Sequence, residues 1–291
     1  MNAFVRTLKG VLTMGLLAWL FGCSDPKDFQ REGDRWTYLG QTIDGADARS
    51  FRVLDAHHAK DARQVWYADT ERRGQEYYLV RHVVVRTIDR ADAATFEVLR
   101  MGYARDRAQV YYEGTSFPVA DPAGFELLDA GFARDRRQGY YQRVPIAGSQ
   151  GGAAFRVLDG QHADDGRRIY HARVDYRAAA TRIHAIEGAD RATFEVLEDG
   201  WARDAKRLYH AGVALPDEPT SWRMLSRGYV RTAGRVYYLG QPVKGADAAT
   251  FEVIPVDRDA DGADGQDARR RYRGGAAFAA AVAAAEPALR R

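Results

Sequence analysis

The chain has 291 residues, with 43 Lys and Arg against 40 Asp and Glu and a formal net charge of +3 at pH 7. The first 22 residues contribute Arg6 and Lys9 and no acid, so the rest of the chain is close to neutral. Nucleic-acid-binding proteins concentrate basic residues on one surface, whereas arginine here alternates with acid, as in Arg105-Asp106-Arg107. We therefore expect no nucleic-acid partner.

Residues 1–22 have the pattern of a secretory signal peptide. Two basic residues precede an apolar run from Val11 to Phe21, as in the charged and apolar regions of such signals. A membrane span needs about 20 apolar residues, so this run is too short to remain as a transmembrane helix. We leave the segment out of the fold prediction.

The apolar run ends in Leu20-Phe21-Gly22-Cys23, which resembles the lipobox of bacterial lipoproteins, with a bulkier Phe than usual in it. Cys23 is the only cysteine in the chain, so it cannot form an internal disulfide after export. The resemblance implies lipidation of Cys23 with more than one acyl chain, such as palmitate, which gives stable anchoring. Ser24 favours the outer over the inner membrane, and a cleaved signal with an incidental Cys is the alternative. Residues 23–34 are a linker.

One spacing pattern recurs from Phe51 almost to the C-terminus, and such self-similarity is the strongest cue to a fold. An aromatic anchor is followed ten residues later by Asp, or once by Thr, and five residues after that by a core aromatic. The seventh copy has six extra residues in the first interval. Repeats 1 to 7 have the anchors Phe51, Phe96, Phe125, Phe155, Phe194, Trp222 and Phe251. Their core aromatics are Trp66, Tyr111, Tyr140, Tyr170, Tyr209, Tyr237 and Tyr272.

These tracts carry a family resemblance. Tyr103 to Tyr112 (YARDRAQVYY), Phe132 to Tyr141 (FARDRRQGYY) and Trp201 to His210 (WARDAKRLYH) resemble the DKNYY repeat family of bacterial proteins. The resemblance covers residues 35–274, although this sequence has Arg-Asp-Arg or Arg-Asp-Ala in place of the family's Asp-Lys-Asn core. It implies the architecture and no settled activity. Residues 275–291 are an Ala-rich tail, for which we expect a short helix from about Ala276 to Ala285 or a frayed end.

The sequence of each repeat predicts a short helical turn followed by three strands. Asp121 before Pro122 is typical of the start of a helical turn. Alternating apolar and polar residues after the anchor predict a half-buried strand. The recurring Asp predicts an Asx turn, in which its carboxylate accepts a backbone N–H two residues on. A third strand then contains Val110, Tyr111 and Tyr112, residue types that sheets favour.

We therefore predict a mainly β fold, a tandem array of small antiparallel β units each with a short helical turn. Most anchors are 28 to 30 residues apart, which fits about three strands of ~5 residues rather than a four-stranded propeller blade of about 40 to 45. Trp36 to Gln41 matches Val236 to Gln241, so the chain enters in mid-repeat. That phasing would suit a closed propeller-like ring, which is the alternative to the open array that we prefer.

Two repeats carry insertions after the third predicted strand. Tyr67 and Phe96 are 29 positions apart and His171 and Phe194 are 23 apart, against 12 to 14 in other repeats. Glu76 to Arg86 is strand-like, so the first insertion predicts a longer hairpin. Insertions in repeat proteins often mark the binding face, and we expect a partner to dock there.

The residue after each core aromatic, here called the second aromatic, predicts another binding surface. Neighbouring side chains on a strand point to opposite faces, and this position accepts Arg273 in repeat 7, so we expect it to be at least partly exposed. Aromatic rings suit wet contact surfaces. We predict stacking on a glycan or peptide of an envelope partner, with a structural ladder as the alternative. The other members are Tyr67, Tyr112, Tyr141, His171, His210 and Tyr238.

The expansion in repeat 7 resembles the opening of a calcium loop. Asp257, Asp259 and Asp261 precede Gly262 in a D-x-D-x-D-G pattern, with Asp264 nearby. The bidentate Glu of such loops is missing. Calcium bound by these four carboxylates is one hypothesis and a flexible acidic loop is the other; no other cofactor is expected.

Seven histidines are present, and four of them occupy aromatic positions of the repeats: His58, His162, His171 and His210. The others have no nucleophile motif beside them, so we do not expect an enzyme. The sequence predicts an envelope lipoprotein whose repeats form a non-catalytic interaction or structural module. A calcium-dependent or carbohydrate- or peptide-binding module is the second reading, and an envelope enzyme is the third.

Overall fold

The structure is a computed structural model, and it describes residues 28–72, 74, 79–216, 221–255 and 262–278. The signal segment, Cys23, Asp257, Asp259 and Asp261 lie outside these residues. The chain divides into two compact parts, Met1–Ala123 and Gly124–Arg291, which we describe separately. Over the described ranges, no helix combines the length and apolar character that a membrane span requires.

The first part contains three antiparallel sheets in its described residues. The entry half-repeat forms β1 (Phe29–Glu32), β2 (Arg35–Tyr38) and β3 (Gln41–Thr42). Repeat 1 forms β4 (Arg52–Val53), β5 (His58–Lys60), β6 (Val65–Glu71) and β7 (His82–Thr87). Repeat 2 forms β8 (Glu97–Val98), β9 (Tyr103–Arg105), β10 (Val110–Tyr112) and β11 (Thr115–Phe117).

The described residues of the second part form five such sheets, one for each of repeats 3 to 7. Repeat 3 forms β12 (Glu126–Leu127), β13 (Phe132–Arg134), β14 (Gly139–Tyr141) and β15 (Val144–Pro145). Repeat 4 forms β16 (Arg156–Val157), β17 (His162–Asp164), β18 (Ile169–Asp175) and β19 (Ala180–Ala185). Repeat 5 forms β20 (Glu195–Val196), β21 (Trp201–Arg203), β22 (Leu208–His210) and β23 (Val213–Ala214). Repeat 6 forms β24 (Trp222–Met224), β25 (Tyr229–Thr232), β26 (Val236–Tyr238) and β27 (Gln241–Pro242). Repeat 7 forms β28 (Glu252–Val253), β29 (Gly265–Gln266), β30 (Arg271–Arg273) and β31 (Ala276–Phe278).

The mainly β repeat array is confirmed, but each repeat has four strands and not the three that we predicted. In repeats 2, 3, 5, 6 and 7 the fourth strand follows a two-residue turn whose residues both have positive φ, such as Glu113 (47°) and Gly114 (69°). Two successive positive φ values define the type I′ turn that joins tight hairpins. We missed the strand because it has only two or three residues in most repeats, and because in β15 and β27 one of them is Pro. In repeats 2, 5, 6 and 7 the sequence signal was a Gly two residues after the position of the second aromatic.

The helical turns are confirmed in two repeats and replaced by ordinary turns in others. Two 3₁₀ helices, Pro122–Gly124 and Gly152–Ala154, precede the anchors of repeats 3 and 4. In repeat 1 the N–H of Phe51 donates to the carbonyl of Asp47 at 2.9 Å. The anchors that follow these three turns, Phe51, Phe125 and Phe155, are buried.

The expected helix of the tail is wrong at its first residues. Ala276–Phe278 is strand β31, and Ala276 lies opposite Arg273 in the last sheet. Short isolated helices are marginal even in Ala-rich sequences, whereas the Gly274-Gly275 turn offers these residues a ready-made partner strand. The remainder of the tail lies outside the described residues.

Within each part, the hydrophobic core is built between consecutive repeats. One cluster combines Val65 and Tyr67 of repeat 1 with Phe96, Ala104 and Tyr111 of repeat 2. Each core aromatic is at most 2% exposed, which confirms its predicted place. A unit that shares its core with its neighbours cannot be stable alone, as is typical of repeat proteins.

Charged side chains add contacts between consecutive repeats. Lys60 Nζ donates to the carbonyls of Ala93 (2.8 Å) and Phe96 (3.1 Å) in the next repeat. Repeat 4 has the opposite charge at this position, the buried Asp164, which accepts from Arg191 of the next turn at 2.5 Å. The earlier repeat supplies the donor in the first case and the acceptor in the second, but a charged side chain links the two repeats in both.

Candidate functional site

The recurring Asp is the most heavily bonded side chain of the repeat. In repeat 2, Oδ1 of Asp106 accepts the N–H groups of Ala108 and Gln109, both at 2.7 Å. Its Oδ2 accepts the N–H of Asp92 at 2.8 Å and the hydroxyl of Tyr111 at 2.7 Å. The predicted Asx turn is therefore confirmed, and the same carboxylate also ties the turn before the anchor to the third strand. We call this arrangement the Asp hub.

The Asp hub recurs with small changes. Tyrosine hydroxyls donate to the hub carboxylate at 2.6 to 3.0 Å in repeats 3, 4, 5 and 7. Repeat 1 has Trp66 in place of the tyrosine, and its Asp61 keeps the three backbone bonds. Repeat 6 has Thr232, whose hydroxyl accepts the N–H of Arg235 at 3.1 Å.

The hub groups are held in fixed ionisation states. Burial raises the pKa of Asp106, but the backbone N–H groups and the Tyr111 hydroxyl outweigh it and leave the pKa below the usual value. Against the same opposing effect of burial, the corresponding bonds lower the pKa of Asp267 to about 2. Burial, together with the bond to Asp165, raises the pKa of Tyr170 to about 12. A carboxylate and a phenol this far apart in pKa do not exchange a proton near neutral pH. The hydrogen bonds between them therefore persist at that pH and stabilise the fold.

The second aromatics lie in cross-strand ring pairs. Each one faces the residue opposite on the second strand, with ring centroids 4.7 to 5.3 Å apart, within the range of favourable aromatic contacts. The pairs are His58–Tyr67, Tyr103–Tyr112, Phe132–Tyr141, His162–His171, Trp201–His210 and Tyr229–Tyr238. This geometry matches the structural ladder that the sequence left as an alternative.

The expected exposure of the second aromatics is wrong at three positions. Tyr67 (5%), Tyr141 (6%) and His171 (1%) are buried, whereas the other three aromatic members, Tyr112, His210 and Tyr238, are partly buried.

The type I′ turn of the following repeat covers several of these rings. A Cβ placed on Gly114 would lie 2.5 Å from Cβ of Tyr67, and one on Gly240 would lie 2.7 Å from Cβ of His210. Gly212 and Gly275 approach His171 and Tyr238 in the same way. The sequence reading missed this cover because it missed the turn.

The calcium hypothesis can be compared with the structure only at Asp264. This buried carboxylate accepts the hydroxyl of Tyr229 at 2.6 Å and the N–H of Gly274 at 2.7 Å. Across the ranges that the structure describes, no three His, Cys, Asp or Glu side chains converge as metal ligands would. The other three acids lie outside those ranges, so calcium binding stays a prediction.

Three histidines form a row in repeat 4. The rings of His162 and His171 are 5.1 Å apart, and those of His171 and His184 are 5.3 Å apart. Burial, followed by the charges of His162 and His184, lowers the pKa of His171 to about 3. Nε2 of His184 lies 3.3 Å from the carbonyl of Gly212. The buried member is therefore neutral near pH 7, and the row packs repeat 4 against repeat 5.

Both insertions form long hairpins, as the first was expected to do. Strands β6 and β7 pair over six residues in repeat 1, and β18 and β19 pair over six in repeat 4. The last strand of every other repeat has only two or three residues. Short edges and edge prolines protect sheets from pairing with other chains, so the long edges of β7 and β19 are the exceptions.

The outer side of β19 presents unpaired backbone groups. The N–H of Ile186 donates to Ile169 at 2.8 Å, and antiparallel pairs alternate between bonded and non-bonded. Thr181, Ile183 and Ala185 therefore direct their N–H and C=O groups away from β18. Within the described ranges these groups make no further hydrogen bond.

A shallow cleft of about 210 Å³ lies beside β19. It is lined by residues 144–147 of repeat 3, which include strand β15, and by Tyr170, Thr181, Ile183, His184 and Ala185 of repeat 4. Arg173 and Arg182 stand directly opposite each other on the other face of the hairpin and are exposed. The hairpin thus has an apolar face, a basic face and an open edge.

The DKNYY family model matches residues 69–144. The DKNYY resemblance is confirmed over these residues. The match begins in β6 and ends in β15, so it includes the long hairpin of repeat 1 and all of repeat 2. The DKNYY description names no ligand and no reaction. Neither the curated proteins nor the solved structures gave a significant match.

The open edge of repeat 4 is the feature that sequence reasoning located only by the length of its insertion. The segment Ala180–Ala185 (ATRIHA) has no run of strand-favouring residues. A six-residue strand forms there because β18 extends beyond β17 and offers it a partner.

Proposed function

We propose that this protein is a lipid-anchored interaction or structural module of the bacterial cell envelope, and that its long hairpins contact the partner. The repeats use their recurring Asp and Tyr side chains in the Asp hub, and the second aromatics pair within the sheets. The long hairpins take part in neither arrangement and are therefore the surfaces that we favour for a partner.

The observation that carries this proposal is the contrast between edges. β7 and β19 have six residues each, while the other final strands are short. At the tip of the second hairpin, Tyr176 is 89% exposed, the largest exposed fraction among the large hydrophobic side chains described. Exposed aromatic residues at the end of a rigid hairpin are typical of contact surfaces.

Two other functions remain alternatives. A glycan or peptide could stack on Tyr112, His210 and Tyr238, the second aromatics that are partly exposed. An enzyme has one observation in its favour, the presence of His184 beside the cleft. The volume of about 210 Å³ is below the roughly 300 to 1,000 Å³ of ordinary small-molecule sites. Activity-based profiling that detects turnover would favour the enzyme.

The anchor is tested separately from the contact surface. Metabolic labelling with a palmitate analogue should mark the wild-type protein, and Cys23→Ser should abolish both the label and the membrane fraction. Labelling that persists in Cys23→Ser would contradict the anchor.

The contact surface is tested by photo-crosslinking in intact envelopes. A photoreactive residue at position 176 should give a discrete crosslinked product. Met101 is a matched control, because it is 72% exposed in a repeat with a short edge, and a photoreactive residue there should give little or none. Equal products at the two positions, or none at 176, would contradict the role of the hairpin.

A further inference from the structure

We propose that β19 binds an extended peptide that alternates apolar and acidic side chains, and that the peptide adds to the sheet of repeat 4 as a fifth strand. This inference rests on the proposed interaction function and specifies its ligand class. Addition of a strand to an exposed edge is a common mode of peptide recognition.

The backbone of β19 supplies the first argument. Thr181, Ile183 and Ala185 present three N–H and three C=O groups on the outer side, by the alternation established above. An added strand would satisfy all six groups. The edges of β15 and β27 contain Pro145 and Pro242, and two residues are too few for such pairing.

The cleft determines one face of the peptide. The side chains of Thr181, Ile183 and Ala185 lie on the same face as the cleft, opposite residues 144–147 of repeat 3. A peptide strand beside β19 would direct every second side chain into this space. Its volume fits one or two aliphatic side chains, and the aliphatic residues in its lining, such as Ile146 and Ile183, favour them.

The charge of the hairpin determines which side chains the peptide should have on its other face. Arg173 and Arg182 are directly opposite each other, and like charges in that position destabilise a strand pair. Arg177 is also exposed in the hairpin turn. The acid Asp175 accepts from Arg182 at 2.9 Å, which leaves the hairpin with an excess of positive charge. Acidic side chains on this face of the peptide would balance that excess.

The first hairpin provides a matched comparison. Val85 of β7 occupies the place of Ile183, since it lies opposite Ala68 as Ile183 lies opposite Ala172. The corresponding face of that hairpin carries Asp69 where repeat 4 has Arg173. An acidic peptide should therefore prefer β19.

Binding is tested with a capped hexapeptide of alternating Val and Glu, and with a Val and Lys hexapeptide as the control. We expect the acidic peptide to protect the amides of Thr181, Ile183 and Ala185 from hydrogen exchange. The amides of Arg182 and His184 already bond to β18, so their protection should change little. Binding of the Val and Lys peptide at equal strength would overturn the charge argument.

Two variants make the test specific. Ile183→Pro removes an outward N–H without removing a bond to β18, and we expect it to weaken binding about fivefold to tenfold. Val85→Pro makes the same change on β7 and should leave binding unchanged. Arg182→Glu keeps the whole backbone and removes the excess of positive charge, so it should abolish the preference for the acidic peptide.

The failures of the two proposals are distinguishable. If neither peptide binds at millimolar concentration while crosslinks from position 176 persist, the peptide assignment is wrong and the interaction function stands. If the crosslinks are missing as well, both are wrong. Self-association that Ile183→Pro abolishes, without peptide binding, would assign the edge to a second copy of the chain and overturn the proposal.

Discussion

Repeats 2 and 6 reach the same architecture with different chemistry at the hairpin. Asp106 accepts four hydrogen bonds in repeat 2, whereas Thr232 accepts one backbone N–H in repeat 6. Yet Tyr111 lies opposite Ala104 and Tyr237 lies opposite Val230 in the same register, and both tyrosines are fully buried. The register thus follows from the turns and the shared core, and the Asp hub adds stability to a geometry that forms without it.

The test with the largest expected effect removes the hairpin side chain of each repeat, Asp106 or Thr232. Asp106→Ala leaves three N–H groups and a buried hydroxyl without their acceptor, so we expect the free energy of unfolding to fall by about 3 to 5 kcal/mol. Thr232→Ala removes one weak acceptor and should cost about 1 kcal/mol. Denaturant unfolding of the two variants measures the difference. Equal losses would mean that the hub contributes no more than a single turn bond.

The next test concerns a feature that the two repeats share. Gly114 and Gly240 both have positive φ and both lie against a ring of the preceding repeat. Gly114→Ala and Gly240→Ala should therefore destabilise by similar amounts, about 2 to 4 kcal/mol, from backbone strain and the close contact together.

Gly40 provides the control for that pair. It has a φ of +81°, and a Cβ placed on it would have no contact within 4 Å, so Gly40→Ala should show the backbone strain alone, about 1 to 2 kcal/mol. Thermal unfolding measures all three variants. If Gly240→Ala is no worse than Gly40→Ala, the turn does not pack on the preceding ring.

Acid should destabilise the repeats that have an Asp hub before it destabilises repeat 6, which has Thr232 instead. The pKa of Asp106 is lowered in the folded protein, since its hydrogen bonds outweigh the opposing effect of burial, and that of Asp267 falls to about 2. A lowered pKa adds stability above the unfolded value of about 3.9, and that stability is lost as the pH falls toward 2. Amide exchange at pH 7, 4 and 2.5 should therefore show repeats 2 and 7 opening in acid before repeat 6. Uniform opening, or repeat 6 opening first, would contradict the role of the hub.

The smallest expected effect comes from building a hub where it is missing. Thr232→Asp places a carboxylate five residues before Tyr237, in the spacing of the other repeats. We expect a gain of about 1 kcal/mol in the free energy of unfolding, with Thr232→Asn as the uncharged control. A loss of stability in Thr232→Asp would show that repeat 6 has adapted its surroundings to threonine.

The sequence predicted the fold well where one residue type has one physical task. The anchor and core aromatics recur at fixed spacing because each ring fills a core shared by two repeats, and the Asp recurs because an Asx turn needs its carboxylate. The fourth strand was missed because its two or three residues, such as Val213–Ala214, carry no strand pattern. Its position depends on the turn and on β22.

The candidate site was harder to predict than the fold. The position of the second aromatic accepts Tyr, His and Arg, and the sequence alone could not show that Gly212 covers His171. The open edge of β19 was indicated only by an insertion. Its unpaired groups belong to the backbone, which has the same chemistry at every residue, so no side-chain motif marks it.

A double-mutant cycle between Asp106 and Tyr111 tests the central claim most directly. Asp106→Asn and Tyr111→Phe each remove one side of the 2.7 Å bond between the two residues, and unfolding of both single variants and the double variant gives their coupling. The Asp hub predicts that the two changes are not additive, with a coupling energy of about 1 to 3 kcal/mol. Additive losses would contradict the claim that the recurring Asp and Tyr stabilise the repeat as one unit.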